Sequence, residues 1–236
     1  MVWQSVVNGQ THKFRLAGIN NQNFIMKDEQ TGSWWQQISG EAIQGPLKGQ
    51  KLVPVETDEL TFGTWKRENP NGRVLLPDEK IRSEQKYEPA DWESQVAKMP
   101  VRVSAKLDTV LEPRALIVGI VIDGKAKAYP FSAIEKQAPI LDTLGGRDIV
   151  VVLAEDGRSV RAFERTVNGR RLEFLRKPES NELLDAETAS TWDFTGTAVS
   201  GELAGSSLKR VTALKDYWFD WKTYNPETQL YSLGVR

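Results

Sequence analysis

Stretches in which apolar and polar residues alternate, separated by glycine-containing turns, make up much of this chain of 236 residues. Residues 1–15, 116–129 and 160–174 each place β-forming residues on both sides of an Asn-Gly or Asp-Gly pair. Such pairs adopt the positive φ angles of a type I′ turn, which joins two antiparallel strands. The apolar run at residues 149–153 predicts a buried strand. The pattern as a whole predicts a mainly β fold, of the β-rich α+β class.

One framework occurs twice along the chain, in residues 35–52 and 192–208. Six glycine, alanine and leucine positions match, and a Trp-Lys…Asn-Pro motif follows each stretch at the same distance. Self-similarity of this kind is typical of a repeated fold. The repeat motif consists of Trp35, Gly40, Gly45, Gly49 and Trp65 in the first copy and of Trp192, Gly196, Gly201, Gly205 and Trp221 in the second. We therefore predict an internally duplicated antiparallel β module, in which residues 2–75 and 162–231 superpose.

The predicted duplication divides the chain into three parts. Residues 1–75 form a first, N-terminally incomplete β repeat, residues 76–115 a connecting segment with little regular structure, and residues 116–236 a second, complete repeat. Each copy is predicted to contain one short helix, at residues 57–68 and 216–224. Each helix has two aromatic residues three positions apart, which places them on one face. We expect this aromatic face to pack on the sheet.

The repeated tryptophans and glycines are expected to serve the architecture. Tryptophan at the same place in both copies predicts a core position, because a large aromatic side chain buries much apolar surface. Among the paired glycines, we expect a positive φ angle or close contact with another backbone segment. Trp34 faces away from Trp35 on a strand, and its counterpart is Thr191. Trp34 is therefore a candidate for contact with a partner.

The first predicted strand has fewer neighbours than its counterpart in the second copy. Residues 116–153 provide strands that can pair with the second copy, and the first copy has no equivalent upstream. An unpaired edge strand invites association or must be covered. We predict that residues 2–7 are covered by the connecting segment or, as the favoured alternative, pair with a strand from another chain. The candidate partner surface consists of Trp34, Val2, Trp3 and Val6.

Composition argues against several kinds of chemistry. The chain has no cysteine and a single histidine, His12, which we expect to be a hairpin residue. A zinc site needs three or four nitrogen, sulfur or oxygen ligands, and a Ser-His-Asp triad would have to use His12, which nothing else in the pattern supports. We therefore assign no catalytic residue, no metal and no cofactor. The net charge of −1 gives no general attraction to nucleic acid. No apolar run reaches the roughly 18 residues of a membrane span, so direct membrane insertion is not expected.

Several motifs together resemble a bacterial family known as domain of unknown function 3179. They are GIVIDGKAKAYPFSAI at 119–134, LDTLGGRDIVV at 141–151, AFER at 162–165 and two Thr-x-Ser-x-Trp runs. The resemblance implies a β-rich fold and, commonly, an exported bacterial protein with an extracytoplasmic location. It implies no established activity. Members often carry Trp-His-Glu where Lys136, Gln137 and Ala138 stand here, and Cys-Pro where residues 153–159 have neither, so a His/Cys site is not carried over.

Two functions are compatible with these observations. The favoured hypothesis is a non-catalytic β-rich binding or assembly module, a subunit of an exported bacterial protein complex that associates with a protein partner or with itself. The alternative is a glycosidase-like hydrolase that uses an acidic residue pair in a cleft between the repeats. A cleft lined by acids with perturbed pKa values would favour the enzyme, and an apolar or aromatic surface patch would favour the binding module.

Overall fold

The computed structural model describes residues 1–76, 78–80, 91–104, 106–177, 180 and 182–232. Parts of the connecting segment, including Pro77 and Pro89, lie outside the described residues. The described helices are α1 (Phe62–Glu68), α2 (Trp92–Lys98), α3 (Phe131–Gln137) and α4 (Trp218–Tyr224). The strands of the first half are β1 (Val6–Val7), β2 (Gln10–Thr11), β3 (Phe14–Asn20), β4 (Asn23–Asp28), β5 (Trp34–Gln36) and β6 (Ala42–Gln44). Those of the second half are β7 (Leu116–Ile122), β8 (Lys125–Pro130), β9 (Ile140–Leu144), β10 (Arg147–Leu153), β11 (Val160–Glu164), β12 (Thr166–Val167), β13 (Arg170–Arg171), β14 (Phe174–Arg176), β15 (Leu183–Asp185), β16 (Thr191–Trp192), β17 (Ala198–Ser200), β18 (Lys209–Val211), β19 (Ala213–Tyr217) and β20 (Gln229–Leu230).

The strands form several small sheets that are almost entirely antiparallel, as the predicted β-rich class requires. Their orders are β3-β4-β5-β6, β14-β15-β16-β17, β18-β11-β10-β9 and β19-β7-β8-β20, with two-stranded hairpins β1-β2 and β12-β13. Within the described part of the chain, only β8 and β20 pair in parallel. Helix α2 lies in the connecting segment.

Strand β10 lies at the centre of the second half and is buried on both faces. Ile149 and Val151 belong to a core shared with the β7–β8 sheet and α3. Val150 and Val152 belong to a second core, shared with the β14–β17 sheet. Since successive side chains of a strand point to opposite faces, a strand packed on both sides has to be apolar throughout. This explains the continuous apolar run that the sequence shows here.

The sheets β3–β6 and β14–β17 have the same strand order and the same buried polar network. In the first, Trp35 Nε1 donates to Asp28 Oδ2 at 2.8 Å, and Thr31 bonds to the same carboxylate through its backbone N–H and hydroxyl. The second has a bond of 2.9 Å from Trp192 Nε1 to Asp185 Oδ2. Trp35 and Trp192 are fully buried, as predicted. Superposition of the complete halves, and the boundaries of the three parts, stay predictions.

Hydrogen bonds determine the ionisation of these buried carboxylates. Burial disfavours the charged form of Asp28, but the bonds donated by Trp35 and Thr31 outweigh it and hold the pKa of Asp28 at about 2. At Asp185, too, burial disfavours the charged form, but the hydrogen bonds donated by Trp192 and Thr188 outweigh it and lower the pKa. Both groups are therefore charged acceptors at neutral pH, and each fixes a turn and a core tryptophan at the same time.

The paired glycines behave as the sequence predicts. Gly40 and Gly196 have φ angles of 66° and 84°, which a residue with a Cβ adopts only with strain. A Cβ on Gly196 would lie 2.5 Å from the Phe163 ring, and one on Gly40 would lie 2.8 Å from the Trp3 ring. Gly205, with a φ of 86°, has open space beside it. The two kinds of constraint, backbone conformation and close packing, are therefore separable within this motif.

Alanine at Gly196 is expected to destabilise the protein more than alanine at Gly205. Both substitutions carry the cost of a positive φ, about 1 kcal/mol. Only the first also forces the Phe163 ring out of its position, so we expect an additional loss of about 1 kcal/mol or more. Urea unfolding of both variants measures the difference. Equal losses would show that the contact with Phe163 is unimportant.

The helices begin later than predicted and contact the opposite half of the chain. Helix α1 begins at Phe62 rather than at residue 57, Thr61 caps it, and the Thr61 hydroxyl donates to Asp156 of the second half at 2.6 Å. Helix α4 follows Tyr217 rather than Asp216. Its Tyr224 hydroxyl accepts from Gln36 of the first half at 3.1 Å. Each half therefore positions the helix of the other.

The aromatic faces of the two helices differ in burial. Trp221 is buried and its ring lies against Gly119 of β7, which explains why this strand has no side chain there. Trp65 is only partly buried, and Phe62, which stacks on it, is 64% exposed. The expectation that Phe62 packs on a sheet is wrong. The described residues of the first half include no strand equivalent to β7, so α1 has no such surface to cover.

Candidate functional site

Residues 2–5, which precede β1, form their backbone pairing along one side, apart from the bond that Ser5 O accepts from the His12 N–H at 2.7 Å. Gln4 N–H donates to Val53 O and Val55 N–H donates to Val2 O, so residues 2–4 pair with residues 53–55. The backbone groups of Trp3 therefore point to the opposite side. There, neither the N–H of Trp3 nor that of Ser5 has a partner in the part of the chain that the structure describes. We call this side of residues 2–5 the open edge.

In the second half the equivalent edge is filled by β10. Phe163, the counterpart of Trp3, pairs with Val150, and the N–H of Arg165 donates to Asp148 O at 3.0 Å. Strand β18 pairs along the other side of β11, as residues 53–55 do in the first half. The two halves thus differ in whether this edge is occupied.

Next to the open edge lies a small apolar face, formed by Val2, Val53 and Val55. Their side chains are 49%, 51% and 37% exposed. Val2 and Val55 lie side by side through the backbone bond between them. In the second half, the counterpart of Val2 is Ala162, which is buried in the core under the β7–β8 sheet. Val2 is therefore exposed at a position where the second half has a buried alanine.

The four residues of the predicted partner surface differ in their exposure. Val2 and Val6 are exposed, as a contact surface requires. Trp3 is partly buried, because its ring lies over Gly40 and its Nε1 donates to Gln37 O at 2.7 Å. Trp34 pairs with Lys27 and Gln44 on the face of the sheet opposite Trp35. Contact of any of them with a partner stays a prediction.

Val53 and Val55 were missed because the sequence places them in a segment without a clear strand pattern. The alternation Val-Pro-Val was the available signal. The described contacts of the connecting segment lie elsewhere. Ser104 bonds to Asn21, and Arg114 bonds to Gln22 at 3.0 Å, both at the β3–β4 turn. Of the described residues, none in this segment bonds to the backbone of residues 2–7.

An acidic pair lies where the two halves meet. Asp216 at the end of β19 and Asp220 in α4 have carboxyl groups within hydrogen-bonding reach of each other. Asn23 Nδ2, from the first half, donates to Asp220 Oδ1. Burial, with the nearby charge of Asp220, raises the pKa of Asp216 to about 8. Burial also raises the pKa of Asp220. Asp216 therefore keeps its proton at neutral pH.

This pair does not match the geometry of a glycosidase. Retaining enzymes separate their two carboxyl groups by about 5–5.5 Å and inverting enzymes by about 6.5–9.5 Å, whereas those of Asp216 and Asp220 are within hydrogen-bonding reach of each other. The cavity that both residues border measures about 180 Å³, which is smaller than a typical ligand pocket of about 300 Å³ or more; of the two, Asp216 also borders a cavity of about 850 Å³, which Asp220 does not line. We therefore assign this pair no role in the hydrolase alternative.

Asparagine at Asp216 is expected to stabilise the protein above neutral pH. In the folded chain Asp216 keeps its proton up to a pH of about 8, against an ordinary pKa of 3.8. The unfolded chain binds fewer protons between these values, so the free energy of unfolding falls as pH rises through that window. An asparagine side chain has no charge to bury. We expect the variant to gain at least about 1 kcal/mol over the wild type at pH 8 and little at pH 4.

Denaturant unfolding between pH 4 and 9 measures this dependence. Asparagine in place of Asp123, whose side chain is 59% exposed, is the matched control and should follow the wild type. A variant at Asp216 that loses stability with pH as steeply as the wild type would contradict the assignment.

Among the described residues, His12 and the remaining acids form no evident reactive centre. His12 is buried with Nδ1 3.3 Å from Asp28 Oδ1, at the position that Leu172 occupies in the second half. In the described ranges, no group of three or more His, Cys, Asp or Glu residues is arranged to hold a metal ion. Nor does any described helix combine the length and apolar character needed to cross a bilayer.

Comparison with known proteins identifies the family but not an activity. No curated protein matches the chain, and no solved structure matches it. A family model described as protein of unknown function (DUF3179) matches residues 1–228. This range includes both halves, the open edge and the acidic pair. The chain therefore belongs to the DUF3179 family.

Proposed function

We propose that this chain is a non-catalytic binding or assembly module that joins a protein partner, or a second copy of itself, through the open edge and the apolar face. The observation that carries the proposal is the difference between the halves at this place. The second half fills the equivalent edge with β10 and buries Ala162, the counterpart of Val2. The first half leaves backbone donors and valine side chains exposed.

Physical chemistry favours an interaction here. An unpaired edge with free N–H and C=O groups is a template for another strand, and proteins that must stay separate protect such edges with charge, proline or a covering segment. Residues 2–7 contain no charged residue and no proline. Burial of the three valines would add apolar stabilisation at about 25 cal/mol per Å².

Lysine at both Val2 and Val6 is expected to abolish association without unfolding the chain. Both side chains are already exposed, so the change affects stability little, while a buried charge at an interface is costly. Val121, 49% exposed on β7, gives a matched control when it is replaced by lysine. The measurements are sedimentation of the purified chain and quantitative mass spectrometry of proteins retained by the wild type and by each variant from the native source.

A partner or oligomer retained by the wild type and the Val121 variant, and lost in the double variant, supports the proposal. Equal retention by all three, or a chain that stays monomeric and retains nothing, contradicts it. Alanine at Trp34, tested in the same way, shows whether the surface extends to the outer face of the β3–β6 sheet. An extracytoplasmic location follows from the family resemblance alone, and fractionation of the source cell tests it.

A further inference from the structure

We infer that the partner of the open edge is an extended antiparallel β-strand with apolar, β-branched side chains on its core-facing side, which takes the place that β10 has in the second half. The inference rests on the proposed function and deepens it by specifying the chemistry of the partner. It excludes a partner that contacts the apolar face through a helix or a loop without pairing to the backbone of residues 2–5.

The cores of the two halves differ in the residues that β10 supplies. In the second half, Val150 and Val152 belong to the core around Trp192. Trp3, Phe14 and Met26 are the first-half counterparts of residues that are buried in that core. All three are only partly buried. The described residues supply nothing in the first half at the positions of Val150 and Val152. A strand in this place would complete the core around Trp35.

The pairing of β10 with β11 also predicts the side chains of the partner strand. Val150 lies opposite Phe163 and Val151 lies opposite Ala162. Applied to the first half, the residue opposite Trp3 points into the core around Trp35. The next residue, opposite Val2, lies beside Val2 on the apolar face. The core-facing side of the added strand would therefore be buried, and β-branched residues suit a strand with a packed face.

A charged side chain is disfavoured on the core-facing side of the partner strand. In the second half, Arg165 Nη2 lies 3.6 Å from Asp148 Oδ1, so β10 uses one acid at its end. The counterpart of Arg165 is Ser5, which offers no charge. Specificity at this edge would then come from backbone hydrogen bonds and apolar side chains, as in other cases of strand addition.

The experiment uses the full chain and a blocked peptide, Lys-Lys-Ile-Val-Val-Val-Leu-Lys-Lys, which copies residues 149–153 between solubilising lysines. The control peptide has proline in place of the residue that copies Val150, which removes a backbone donor. We expect the first peptide to bind, to protect the amides of residues 2–7 from hydrogen exchange, and to bind about tenfold or more weakly to the Val2→Lys variant. The Val121→Lys variant should bind as the wild type does.

The outcomes separate this inference from the proposed function. Equal binding of both peptides, or protection elsewhere than residues 2–7, overturns the inference. If the peptide fails to bind while the chain still associates in a manner that depends on Val2, the partner is not an added strand, and only the inference fails. If the peptide fails to bind and no association depends on Val2, both fail. Self-association that the peptide displaces would identify a second copy as the source of the strand.

Discussion

Replacing Trp35 with alanine is expected to lower the free energy of unfolding by about 3–5 kcal/mol. The side chain is fully buried at the centre of the first-half core. Its loss leaves a cavity next to Phe14, whose ring contacts the indole edge-on with 5.8 Å between the ring centroids. It also removes the Nε1 donor from Asp28, a buried carboxylate whose charge depends on its hydrogen bonds. The cavity and the lost hydrogen bond act in the same direction.

The neighbouring Trp34 provides the control for this prediction. It has the same side chain one position away, on the opposite face of β5, and is only partly buried. We expect alanine there to cost about 1 kcal/mol, which is typical of a substitution outside the core. Phenylalanine at Trp35 separates the two contributions, because it keeps most of the volume and loses the donor. Urea unfolding measures all three, and similar losses for both alanine variants would contradict the assignment of Trp35 to the core.

Replacing Arg161 with methionine is expected to cost about 3 kcal/mol or more, because it leaves two carboxylates without their common partner. Arg161 lies on β11 with its side chain 3% exposed. Its guanidinium bonds to Asp58 at 2.7 Å and to Glu68 at 2.6 Å, and it stacks over the Phe194 ring at 4.6 Å. Burial disfavours the charge on Asp58, but bonds from Arg161 and Arg210 outweigh it and lower the pKa of Asp58.

Two further variants show whether charge is the cause. Methionine at Arg161 combined with Asp58→Asn and Glu68→Gln removes the unpaired charges, and we expect it to recover much of the lost stability. Alanine at Arg210, whose side chain is 35% exposed although it contacts the same Asp58, should cost about 1 kcal/mol or less. If the triple variant is no more stable than the single one, packing against Phe194, rather than charge, explains the loss.

Local patterns in the sequence predicted local structure well. The Asn-Gly turns, the apolar run of β10 and the positive φ angles of Gly40 and Gly196 all follow from short-range rules, and the structure agrees with each. These features depend on the residue itself and its immediate neighbours. For the same reason, the apolar face on residues 53–55 could not be predicted, because residues 53–55 pair with the distant residues 2–4.

Features that depend on contacts between distant residues were predicted poorly. Asp216 suits a helix N-cap by its type, but β19 continues through it to Tyr217 and buries it beside Asp220. Phe62 suits a packed helix face, yet it is largely exposed. Arg161 showed no signal in the sequence, since its partners lie about a hundred positions away. Long-range pairing determines the environment of each of these side chains, and a single sequence does not specify it.

The exchange of helix contacts between the halves has a consequence for how the chain folds. Helix α1 is fixed by Asp156, and α4 by Asn23 and Gln36, so each half needs the other to hold its helix in place. During synthesis, α1 therefore leaves the ribosome before Asp156, its anchor, has been synthesised. More than ninety further residues must be added before the two can make contact. Such long-range closure slows folding. Either half expressed alone should be an incomplete folding unit, and the intact chain should unfold in one cooperative step.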